Sequence, residues 1–153
     1  MSEDIIAEFQ VLVIIIFVVQ MTLWLLFANT IRKTLNLIAE ENRCILPNQA
    51  WFVAIPLFNI YWNFQVARRL SDSLTNEFFD RKIEAEENPT HRDGFLYSIT
   101  NLLCYIPFPP FWIIFLRTIS FINFVTYWFR INQCRILLIE HNKWKEETKN
   151  NED

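Results

Sequence analysis

Val-Leu-Val-Ile-Ile-Ile-Phe-Val-Val, residues 11 to 19, is a run without one polar side chain. It sits inside a longer apolar segment from Ile5 to Ala28, which Gln20 interrupts and Met21 resumes. About twenty helical residues at 1.5 Å each reach roughly 30 Å, the thickness of a bilayer's hydrocarbon core. A secretory leader would begin basic and end at a small-residue cleavage site. Here Ser2-Glu3-Asp4 is acidic and no such site follows, so an uncleaved membrane helix is expected over 5–28.

The rest of the composition agrees with a lipid-facing chain. Of 153 residues 52% are apolar and 16% aromatic, with fifteen Phe and six Trp. That is more apolar bulk than a soluble domain of this size buries. The single glycine, Gly94, excludes phosphate-cradling loops, which need several. Three cysteines at irregular spacing exclude a fully paired disulfide framework. A net charge of −3 leaves no basic footprint for nucleic acid.

Outward from the first segment, Ile31, Leu35 and Ile38 recur at i, i+4, i+7, opposite Arg32, Lys33, Asn36, Glu40 and Glu41. This is an amphipathic pattern, expected as a surface helix over 30–46 lying along the membrane. A second apolar segment covers 50–67, with Pro56 at its middle and the helical pattern continuing to about 83. Trp51 and Trp62 are expected as interface anchors, and Ala50 with Ala54 is a spacing that lets helices approach closely. Residues 84–92 form a polar loop. Pro107-Phe108-Pro109-Pro110 then breaks the last apolar region into helices at 94–107 and 111–130, bracketed at its end by Trp112 and Trp128. The tail, 140–153, is charged and expected in water. The fold class is therefore all-α: a polytopic membrane protein of one domain, with about four membrane-embedded helices and one interfacial helix.

Orientation admits two arrangements. With four spans, Arg68, Arg69, Arg81, Lys82, Arg92, Arg130, Arg135 and the tail lysines share one side, against Arg32, Lys33 and Arg43 on the other. The positive-inside rule then places both termini in the cytoplasm. If the segment around Pro56 were re-entrant, Arg32 and Arg68 would share the cytoplasmic side and the N-terminus would lie outside. Four spans are the expected arrangement, because eighteen residues suffice to cross but barely to go in and return.

Asn42-Arg43-Cys44-Ile45-Leu46-Pro47, Trp51, Ile55-Pro56-Leu57-Phe58-Asn59, Trp62, Phe64 and Ser71-Asp72-Ser73-Leu74 form a recognisable series. It resembles the N-R-x-x-x-P…W…I-P-L-F-N…W-x-F…S-L signature of a family of small uncharacterised bacterial inner-membrane proteins. Tyr127-Trp128-Phe129-Arg130-Ile131 is similar to the aromatic and basic end of their last helix. The resemblance covers most of residues 30–135 and implies four membrane helices, a bacterial inner membrane and no assigned activity. It departs in the last two segments, where Phe, Ile and Trp replace the family's glycines and alanines.

The residues with most to say about function are polar ones at membrane depth. Arg117, Ser120, Asn123, Tyr127 and Arg130 lie toward one face of the last helix. Lipid would leave them unsatisfied, so that face is expected to point into the bundle. Asn59 and Asn63 of the second segment and Asn101 of the third are the natural partners. Such a cluster acts either as interhelical glue, worth about 0.6 kcal/mol per bond, or as a polar path. Glue is expected, because no acid accompanies it in the spans. Arg117 either snorkels to the near interface or pairs with Glu8, the latter only in the re-entrant arrangement.

Neither an aspartate pair nor a serine–histidine dyad can be assembled at depth, and His91 and His141 have no ligand spacing. No enzyme activity, cofactor or metal is expected. The expected partners are the lipid bilayer together with a second copy of the chain or another protein. The expected function is a membrane-anchored interaction or scaffold subunit. The alternative is a small oligomeric channel or transporter lined by the second and last helices.

Overall fold

The computed structural model describes residues 3–152, with side-chain surroundings from 6 to 150. Four helices occur: α1 (Glu3–Asn36), α2 (Phe58–Asp80), α3 (His91–Leu103) and α4 (Pro110–Glu152). Short 3-10 stretches at Glu40–Asn42 and Pro47–Ala54 lie between the first two. No strand occurs among the described residues, and the class is all-α.

Two helices, not four, are long and apolar enough to cross a membrane. The most apolar window of α1 has a mean hydropathy of 2.8 and that of α4 1.3. Protein covers only 17% of each window, unlike a soluble protein's core helix, which is mostly buried. The expected span over 50–67 is absent. Pro56 has no N–H to donate and holds the preceding residue extended, so Ile55 sits at φ −82°, ψ 116°. Leu57 then turns to φ 65°, and the Phe58 N–H bonds the Pro56 carbonyl at 2.8 Å, a γ-turn. The chain is thus cut into a 3-10 run and a separate α2, and α2 carries Arg68, Arg69, Asp72, Glu77 and Asp80.

The surface helix expected over 30–46 is also absent. Residues 30–36 contain neither glycine nor proline and continue α1 without a break. Their apolar face, Ile31 and Leu35, joined by Ile38 just past the helix end, is buried by protein instead of lipid, in one core with Leu70, Leu74, Ile131 and Leu138. Residues 37–46 are turns and bends around the short 3-10 stretch Glu40–Asn42, and Pro47–Ala54 then runs back along α1 with Ala50, Val53 and Ala54 buried. A 3-10 helix rises about 2.0 Å per residue against 1.5 Å for an α-helix. The chain therefore retraces its path in few residues. The last two segments shift as well: α3 ends at Leu103 instead of 107, and α4 runs on through the tail, because nothing between 130 and 152 breaks a helix.

The four helices share one core around Phe27. Its ring lies edge-on to Phe124, Tyr127 and Trp128 at 5.1, 5.6 and 5.9 Å, and Trp128 Nε1 donates to Thr30 Oγ1 at 3.0 Å. Further along, Arg81 donates to the carbonyls of both Leu37 and Leu138. Position therefore advances along α1 and α4 in the same direction. These helices are parallel, and their outer ends, at residues 3 and 152, lie at opposite ends of the molecule. The four-span expectation, with both termini on one side, needs them antiparallel. Helix α2 also runs with α1, since Tyr97 lies beside both Trp24 and Asn63, while Glu77 meets Ala39. Helix α3 runs the opposite way. Gly94 is where it meets two neighbours: a Cβ there would stand 2.7 Å from the Ala67 Cβ and 2.8 Å from the Tyr127 ring.

Candidate functional site: a polar seam and a lateral groove

The polar residues picked out in sequence are mostly inside. Asn59, Asn63, Asn101, Ser120 and Tyr127 are buried and Asn123 is half-buried. Asn123 Nδ2 donates to Thr100 Oγ1 at 3.4 Å, tying α4 to α3. Both amide atoms of Asn59, the Nδ2 of Asn63 and of Asn101, and the Tyr127 hydroxyl have no protein partner. Each such group costs about 1–3 kcal/mol when left dry. Arg130 is half-exposed and faces Asp93 at 3.5 Å and Glu86 at 3.8 Å, at the polar rim instead of within the seam.

The structure divides the stripe. Asn101, Ser120 and Arg117 line a groove of about 500 Å³ that opens sideways between α1, α3 and α4. Gln20 and Trp24 complete its polar edge, and α1 side chains such as Ile15, Ile16 and Val19 form an apolar wall. Asn59, Asn63 and Tyr127 do not line it; they sit deeper, where α2 packs on α3 and α4. Arg117 is exposed, and no ion pair among the described residues includes it, Glu8 being no exception. Of the two readings of Arg117, the arginine–glutamate pair is therefore absent among the described residues. Of the residues missed in sequence, Gln20 had a signal, as the single polar break in the first apolar segment. Tyr97 and Trp24 had none, because their place depends on α3 crossing α1.

A second polar cluster, also missed in sequence, fastens the other end. Glu77 Oε2 accepts from the Ala39 N–H at 2.9 Å and from Asn42 Nδ2 at 2.9 Å, while its Oε1 meets Arg81 at 2.7 Å. Burial pushes the Glu77 carboxyl up, but the bonds from Asn42, Ala39 and Arg81 together outweigh it and hold it below the usual carboxylate range. Arg81 goes on to Asn142 Oδ1 at 2.6 Å and Leu37 O at 2.9 Å. Arg43 Nε donates to Ile38 O at 2.9 Å. Two arginines thus satisfy carbonyls left open where α1 ends. These bonds fasten the end of α1, the end of α2 and α4 to one another.

Among the described residues no group of three His, Cys, Asp or Glu could hold a metal ion. Cys44, Cys104 and Cys134 are all free thiols. Comparison of the chain with protein-family models, with curated proteins and with solved structures finds no match to any of them.

Proposed function

We propose that this chain is an integral membrane protein that serves as an anchored docking subunit for another protein. Its lipid-facing slab lies between Val11 and Ala28 on α1 and between Pro110 and Trp128 on α4. Those two runs are side by side in the parallel register, and each is about 27 Å long. Just beyond one edge come Arg32 and Lys33 of α1, Arg68 and Arg69 of α2, Arg92 of α3 and Arg130 of α4. By the positive-inside rule that end is cytoplasmic, with the start of α1 on the far side. The chain crosses on α1, dips back in around Pro56, leaves on α2, and returns on α3 and α4. This is the re-entrant arrangement. The exposed break at Pro56 is satisfied locally, since the N–H groups of Phe58, Asn59 and Ile60 bond the carbonyls of Pro56, Ile55 and Leu57, while the preceding 47–54 run buries Ala50, Val53 and Ala54 against α1.

One observation carries the docking role. Past Asn142, whose Oδ1 accepts from Arg81, the described side chains of α4 are all exposed, and the helix continues for about 15 Å. Trp144 is 62% exposed there, among Lys143, Lys145, Glu146 and Glu147, and Leu137, seven residues earlier and so on the same face, is 42% exposed. An apolar pair on a charged, water-facing helix fits a partner helix or groove. A photoreactive residue in place of Trp144 should give one discrete protein adduct in cells, and the same residue in place of Phe121 only lipid adducts. Absence of the first adduct, with ion conduction by the reconstituted protein, would transfer the proposal to the channel reading, which the unpartnered amides of Asn59 and Asn63 favour.

A further inference from the structure

We infer that the lateral groove between α1, α3 and α4 holds one acidic phospholipid of the leaflet facing away from the basic belt, with Arg117 as its counter-charge. This inference rests on the membrane reading above. The groove has a long apolar wall, including Ile15, Ile16 and Val19 of α1 and Phe121 of α4, and no carboxylate lines it. Its charged group is a lone guanidinium without an ion-pair partner among the described residues. Beside it the buried Asn101 has an Nδ2 donor with no protein acceptor, and Ser120 adds a hydroxyl. Donors without an anion at one point, and aliphatic surface along the rest, complement a lipid with a phosphate head and acyl chains. Guanidinium and phosphate oxygens match in geometry as well as charge. Arg117 lies about 10 Å along α4 from Pro110. That puts it within reach of the headgroup region on the Pro110 side and remote from the basic belt.

Snorkelling accounts for an arginine at this depth, but not for an unpartnered amide donor beside it in a groove of acyl-chain width. The two differ in what should happen when the groove is filled while Arg117 is kept. The full chain is purified from vesicles of phosphatidylcholine with a minor fraction of phosphatidylglycerol, and retained lipid is counted by mass spectrometry in mild detergent. The wild type should retain phosphatidylglycerol about tenfold over its mole fraction, the ratio one charge-assisted hydrogen bond supplies. Arg117→Gln should abolish that enrichment and Arg117→Lys keep part of it. Ile16→Trp, which fills the groove and leaves the arginine in place, should also abolish it. Equal enrichment on the wild type and Ile16→Trp would overturn the proposal, as would a dimer in which position 16 is protected and no lipid is retained. Resistance to carbonate extraction is scored on the same samples. A chain that resists extraction but shows no lipid preference refutes the groove alone, whereas a chain released by carbonate refutes the membrane reading.

Discussion

At the residue scale, the fastenings are side chains that close the ends of helices. Asn42, Arg43 and Ser73 each bond across the chain: Asn42 to Glu77 and Asp80, Arg43 to the end of α1, and Ser73 Oγ to the Cys44 N–H at 2.8 Å. Trp62 Nε1 likewise pins the 3-10 run through the Gln49 carbonyl at 2.9 Å. Glu77 accepts three bonds, from the Ala39 N–H, Asn42 and Arg81, and removing one member of a buried ion pair costs about 3–5 kcal/mol. Its carboxyl is held below the 4.5 of a free glutamate, so its contribution to stability is complete above that pH and is lost as pH falls through the folded value. Acidification below about pH 4.5 should therefore lower the melting temperature of the wild type more than that of Glu77→Gln, measured in detergent. Parallel pH curves would refute this. Gly94 gives a second prediction. Alanine there gains about 1 kcal/mol of helix propensity, but the new methyl would stand under 3 Å from two other helices. Overpacking costs about 1–3 kcal/mol, so Gly94→Ala should lower the melting temperature, and Ala67→Gly should recover part of the loss.

At the element scale, the 47–57 stretch matters most, because it returns the chain along α1 as a short 3-10 run instead of a second long apolar helix. Small side chains make this possible: Ala50 and Ala54 are buried against α1, which brings backbone close to helix. Ala50→Leu should cost about 1–3 kcal/mol and speed hydrogen exchange of the amides in 47–54, whereas Asn48→Leu, at an exposed position, should do neither. Equal exchange in both variants would mean the stretch is held by Trp62 alone. The existence and type of the helices were legible in sequence, because their apolar runs and the Pro107–Pro110 break are local. The boundary near 30 was not. The amphipathic face of Ile31, Leu35 and Ile38 was correctly read, but period alone does not tell whether lipid or protein covers it.

At the scale of the whole molecule, the decisive fact is that α1 and α4 are parallel. That places the belt of arginines at one end and, if both helices cross, the outer ends of α1 and α4 on opposite sides of the membrane. In a cysteine-free background, Glu40→Cys and Ala85→Cys should be labelled by an impermeant reagent from the same side. Labelling from opposite sides would restore four spans. The same geometry divides the polar residues into a buried seam and a groove, because Asn59 and Asn63 of α2 are buried inside the bundle with Tyr127 of α4, whereas Arg117 is exposed.

The sequence by itself determined the helical class, the long apolar runs of α1 and α4 and the polar residues along them, since each follows from side chains within a few turns of one another. It counted about four membrane helices, however, where two are long and apolar enough. Only the tertiary structure decided that the Pro56 segment turns back, that 30–36 prolongs α1 and that Arg117 stands apart from the deeper asparagines. The physical reason is that an apolar or polar face must be covered, and a linear pattern records the need but not the partner. Which surface meets it depends on contacts between residues as far apart as Thr30 and Trp128.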